Sequence, residues 1–166
     1  MCLFQRFIKY FTKSRYPKDL LINGRGKCDT RSFLNHDELY RYYELEHLEE
    51  NGKIKLERIR FPDLSCNWSQ FSKPKDILFR EKAKLTDGCY SFTVKTSRYK
   101  RIATAVHDPL DDKKFPNYAH VEVRALEETE DIYTEPPKGR KLKPKRKRME
   151  YRQNIVKCLN IEIDAT

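Results

Sequence analysis

Leu3, Phe4, Phe7, Ile8 and Phe11 recur at the three-to-four spacing of one helical face, while Gln5, Arg6, Lys9, Thr12 and Lys13 fall elsewhere. The pattern predicts an amphipathic basic helix ending before Tyr16-Pro17, its aromatic face suited to docking on a core or a partner. Asn23-Gly24-Arg25-Gly26 marks a turn, and its lone G-x-G lacks the rest of a phosphate-binding fingerprint. From Asn35 to Glu50 a second helix is expected. Asn35 or Asp37 would cap it, Leu39, Tyr42, Tyr43, Leu45 and Leu48 would supply contacts, and Asn51-Gly52 would end it. Lys53 to Phe61 reads as a strand whose alternation changes phase between Leu56 and Ile59. A third helix is expected from Ser72, with Pro74 and Asp76 in its first turn and Ile77, Leu78 and Phe79 as anchors, ending before Asp87-Gly88.

Beyond Gly88 the period becomes two. Tyr90, Phe92 and Val94 alternate with Cys89, Ser91, Thr93 and Lys95, and Ile102 to His107 and Tyr118 to Leu126 read likewise as half-buried strands. Ile155, Leu159, Ile161 and Ile163 alternate well enough for one last strand. The fold class expected is α+β, with two or three helices packed on a mainly antiparallel sheet of about five strands and an exposed basic arm. Four units follow: a basic helix and linker over 1–31, an α+β core over 32–137, the arm over 138–152, and a returning strand over 153–166.

At 166 residues the chain suits one domain, and 38% apolar against 36% charged residues with a mean hydropathy of -0.88 excludes wholesale disorder. No run of about 20 apolar residues offers a membrane span, so no membrane partner is expected and the location anticipated is cytoplasmic, or nuclear in a eukaryote. Five cysteines, without a C-x-x-C pair, suggest free thiols in a reducing compartment.

The placement of the net charge of +10 narrows the function classes further. Residues 138–152 hold nine Lys or Arg against one Glu, and residues 1–31 hold eight against Asp19 and Asp29, which leaves the centre mildly acidic. The first of these runs follows Pro136-Pro137 and contains Gly139 and Pro144, a composition that predicts an exposed loop rather than helix or strand. Lys138, Arg140, Lys141, Lys143, Lys145, Arg146, Lys147 and Arg148 are therefore candidates for contacting a phosphate-rich polymer, with salt-dependent affinity and little base discrimination.

Candidate chemistry centres on two histidines. An antiparallel hairpin that sets His107 opposite Tyr118 places His107, Tyr118, His120 and Glu122 on one face, with the imidazoles on a diagonal of roughly 7 Å. Such a pair can act as base and acid in metal-independent cleavage of RNA, with Glu122 orienting His120, Tyr118 stacking on a base, and Lys100, Arg101, Lys113 and Lys114 near the developing charge. The same four positions also read as ordinary strand residues. His107, His120, Glu122 and Asp108 lack a compact ligand spacing, so no metal centre and no cofactor are expected. A second cluster sets Arg58 and Arg60 near Trp68, a pattern that suits either base stacking or a structural loop edge. The expected function is nucleic-acid binding, to RNA or single-stranded DNA, with phosphodiester cleavage by the histidine pair as its boldest form. The competing class is a non-enzymatic subunit of a larger assembly that docks a protein partner through residues 3–11.

Overall fold

Alternation at period two decides the architecture. In the computed structural model, which describes residues 16–60 and 64–166, six strands form one open sheet. They are β1 (Glu38–Tyr43), β2 (Leu64–Trp68), β3 (Gly88–Thr93), β4 (Ala103–His107), β5 (His120–Ala125) and β6 (Asn160–Ile163). Their order across the sheet is β4-β5-β2-β1-β3-β6, with every neighbouring pair antiparallel. Helices α1 (Val94–Ser97) and α2 (Lys145–Cys158) complete an α+β fold of the class expected, with one strand more than anticipated and with neither helix where the sequence pattern placed one. The amphipathic segment at residues 3–11 lies outside the described residues.

One face of the sheet carries the main core. Leu39, Trp68, Phe92, Val121 and Val123 project from it, and α2 lies over them with Tyr151 and Ile155, spaced four residues apart so that one narrow stripe of the helix is buried. Phe33, Ile54, Ile59 and Leu142 close the margins, Leu142 reaching in from the middle of the basic run. On the opposite face the short 3-10 turn Pro74–Leu78 sets Ile77 against Tyr40 and Cys89. Across β4 and β5 that face is buried but polar.

Four expectations are corrected. Glu38–Tyr43 is a strand rather than helix, because Leu39 and Tyr43 fill the core at alternate positions while Glu38 and Tyr40 face away. Asn51-Gly52 then serves a tight turn, with Gly52 at φ 77°, that lets Leu48 bridge to Ile54. Of the strand expected from Lys53 to Phe61, the described residues 53–60 form that bridge and a 3-10 turn at Leu56–Arg58 instead, and the helix expected from Ser72 shortens to the Pro74–Leu78 turn. Residues 145–152 of the expected loop, with 153–158 at the start of the expected last strand, form α2, and the strand itself is confined to Asn160–Ile163: Pro144 stands at the helix N-cap, where a missing N–H costs nothing, and Lys, Arg, Met, Glu and Gln are good helix formers.

Gly88 is a packing requirement. Paired with Tyr43 across β1 and β3, it lies beneath that ring, and a Cβ there would come within 2.4 Å of the ring and 2.7 Å of the Ile163 carbonyl. Gly88→Ala is expected to lower the unfolding free energy by about 1 to 3 kcal/mol through forced displacement of Tyr43. Urea denaturation followed by tyrosine fluorescence checks it; an unchanged midpoint would show the ring free to move.

Candidate polyanion-binding surface

The hairpin of β4 and β5 pairs His107 with Val121 and Ala105 with Val123. That register is three residues from the one expected, and an odd offset moves the two histidines to opposite faces. The shared acid–base pair is therefore not formed.

His107 belongs to the core. Its Nδ1 accepts the Cys28 N–H at 2.8 Å and its Nε2 donates to the Tyr118 carbonyl at 2.5 Å, while Trp68, Phe71 and Tyr118 surround the ring. Both nitrogens are committed to the neutral form, and burial holds its pKa below the ordinary imidazole value. Tyr118 is likewise occupied, its hydroxyl donating to the Gly26 carbonyl at 2.9 Å and its ring covered by the Arg25 guanidinium, so it offers no stacking surface.

His120 faces the other way and donates from Nδ1 to the Asp108 carbonyl at 2.6 Å, so the backbone of Asp108, rather than Glu122, orients it. Burial lowers its pKa as well. Glu122 instead accepts from Arg124 and Lys138, with Arg124 also 3.0 Å from Asp108 and 3.4 Å from Glu135. Lys27 pairs with Glu135 and Lys138 reaches Asp108 at 3.2 Å, so three cations balance three carboxylates in a polar network that is buried at Glu122 and Arg124 and exposed at Lys27, Glu135 and Lys138. Closed in this way, the layer is a structural tie rather than an open site.

The basic run divides. Lys138 belongs to that layer, and Arg140 pairs with Glu130 and, at 3.7 Å, with Glu127. Lys147 meets Glu128 at 3.6 Å. Arg140 and Lys147 thus find their counterions in the acidic loop immediately before the run. Lys141, Lys143, Lys145 and Arg146 are exposed and, with the half-buried Arg148, form no direct ion pair among the described residues. Four consecutive cations, Lys145 to Arg148, occupy the first turn of α2, where no acidic residue stands. The helix dipole makes that turn positive already, and each cation there is unfavourable by about 0.3 to 1 kcal/mol until an anion arrives.

Helix α2 also packs against the Leu56–Arg58 turn, and Arg152, whose pKa is lowered by burial and then by the nearby Arg148 charge, lies close enough to Glu57 to feel it. Arg58 is half-buried and 3.5 Å from Glu46, whereas Arg60 is exposed. Both line a cleft above β1. Trp68 does not join them: it is wholly buried, stacked on Phe33 at 4.1 Å, with its Nε1 donating to Asp37 at 2.9 Å. Cys66 and Cys89 are buried thiols pushed up to about 12 by desolvation, and the four cysteines among the described residues are unpaired. Among the described residues no helix is long and apolar enough to cross a membrane. Arg41 and Arg152 were not anticipated from the sequence; the role of the first is hidden because the spacing around β1 suits a helix as well as a strand. Comparison with family models, curated proteins and solved structures gives no match.

Glu122→Ala takes a carboxylate from the buried Arg124 guanidinium, as well as from the exposed Lys138, and is expected to cost about 3 kcal/mol of stability, measured by chemical denaturation. A loss below about 1 kcal/mol would show the layer to be solvated. Lowered imidazole pKa values at His47, His107 and His120 mean that the unfolded chain binds more protons than the folded one below about pH 6.5. Stability should accordingly be flat above that pH and decline beneath it. His107→Gln, which keeps an acceptor and a donor, should reduce the slope by up to about 1.4 kcal/mol per pH unit.

Proposed function

We propose that the protein binds the sugar–phosphate backbone of nucleic acid, RNA or single-stranded DNA, through the basic run at residues 141–148 and the adjoining first turn of α2. The observation that carries this reading is the group of exposed cations at the positive end of α2, left without ion pairs while their neighbours Lys138, Arg140 and Lys147 are neutralised internally. A cluster that destabilises its own helix is relieved when phosphates take up the charge, releasing their counterions. With Trp68 and Tyr118 buried, affinity comes from phosphate contacts rather than base stacking, and little sequence preference is expected. No reaction is assigned to His107 and His120, which are held on opposite faces of the sheet.

Replacing Lys141, Lys143, Lys145 and Arg146 together by Ala tests the reading. Binding to a fluorescent single-stranded oligonucleotide, measured against salt, should show a log–log slope shallower by about 3, at roughly 0.7 for each phosphate no longer neutralised. All four side chains are exposed, so the thermal midpoint should not fall. An unaltered affinity and slope would overturn the proposal.

A further inference from the structure

Residues 44–60, after β1, line a cleft of about 250 Å³ over the sheet, several times the roughly 30 Å³ that a water molecule occupies. Arg41, Arg58 and Arg60 line it together with His47 and Tyr90. Arg41 rises from the centre of β1, directly across from Tyr90 on β3, and is steadied by donating Nη1 to the Ser65 carbonyl at 2.5 Å. It forms no ion pair among the described residues, and neither does Arg60.

The two carboxylates at the cleft are already engaged. Glu44 is paired with Lys84, and Glu46 accepts from Arg58 at 3.5 Å. Counting Lys84, four cations face two anions, and the excess sits on Arg41 and Arg60. The Nδ1 of His47 accepts the Glu44 N–H at 3.1 Å, which leaves its Nε2 as the donor nitrogen of the neutral ring. At the base of the cleft Tyr90 is 1% exposed, and its hydroxyl has no hydrogen-bond partner among the described residues. A buried hydroxyl without a partner is destabilising, a cost that a ligand oxygen within reach would remove.

We propose that this cleft is a phosphomonoester site: Arg41, Arg58 and Arg60 bind the phosphate oxygens, and the Tyr90 hydroxyl donates to one of them. Guanidinium groups match this geometry because their planar forks bind phosphate through paired charge-assisted hydrogen bonds. A phosphomonoester arrives either at the end of a nucleic-acid strand or on a free mononucleotide. The strand form rests on the nucleic-acid reading above and extends it, since α2 adjoins the turn that carries Arg58.

The test uses the full chain with four probes: inorganic phosphate, a nucleoside monophosphate, and one single-stranded oligonucleotide bearing either a terminal phosphate or a terminal hydroxyl. If a strand end is the ligand, the phosphorylated oligonucleotide binds roughly tenfold or more tightly than the hydroxyl form. Arg60→Ala and Tyr90→Phe abolish that preference, whereas the fourfold α2 variant weakens both oligonucleotides alike. If the ligand is free, the small phosphates bind in calorimetry, the same two substitutions weaken them roughly tenfold, and the oligonucleotides show no end preference. Tyr90→Phe removes the unpaired hydroxyl and should hold or raise the thermal midpoint, so its loss of affinity is not a loss of fold. No end preference together with no binding of either small phosphate at millimolar concentration overturns the cleft proposal and leaves the backbone reading standing. End-independent failure to bind any oligonucleotide, with mononucleotide binding intact, overturns the backbone reading alone.

Discussion

The imidazole of His107 joins segments that are remote in sequence. It takes a hydrogen from the Cys28 amide, gives one to the Tyr118 carbonyl, and packs among Trp68, Phe71 and Tyr118. The ring thereby ties the chain before β1, the edge strand β4 and the entry to β5 at one point, and it does so only when uncharged. The same contacts accompany the pairing of His107 with Val121, and that pairing determines which side chains of the hairpin meet the core and which meet the polar layer. Sliding the hairpin by one residue would push Glu122 and Arg124 toward Trp68 and turn Val121 and Val123 into the polar network, leaving buried charges without partners.

From that parity follows a separation of charge into two kinds. One kind is internal: Arg124, Lys138 and Lys27 set against Glu122, Asp108 and Glu135, with Arg140 against Glu130 nearby. Such a closed arrangement contributes little net stability compared with apolar packing, yet removal of a buried member, Glu122 or Arg124, is costly. The other kind is external, on Lys145, Arg146 and Arg148 in the first turn of α2, on Arg60 and on Arg41 at the cleft, where no protein carboxylate among the described residues answers. Net charge alone does not distinguish these two kinds, since adjoining residues of one basic run fall into each.

The strands of the second half were legible because β3, β4, β5 and β6 keep period two between clear turns, and the antiparallel α+β class follows from them. The segment around β1 misled because its tyrosines and leucines satisfy three-to-four spacing and period two at once, and only cross-strand partners decide between the two. Helix α2 was obscured for the opposite reason. Its buried stripe is reduced to Tyr151 and Ile155, so charge dominates the pattern, and Pro144 reads as a breaker although it sits where a helix tolerates it. Of the expected site residues, the exposed cations of the basic run could be found from charge density. The positions of His107 and His120 depended on a register that alternation does not specify. Arg41 and Tyr90 could be recognised only as a cross-strand pair.

Leu142 sits alone among lysines and arginines, yet it is 4% exposed and reaches the main core. Its anchorage turns what composition would describe as a solvated tether into a moulded ridge, with Lys141 and Lys143 held on either side of a fixed point and α2 beginning just beyond. A flexible cationic tail loses chain entropy whenever it wraps a partner, whereas this ridge has already surrendered that entropy during folding. A partner meeting such a surface would be captured as a rigid body, so that its geometry, and not merely its charge, would govern how long it stays.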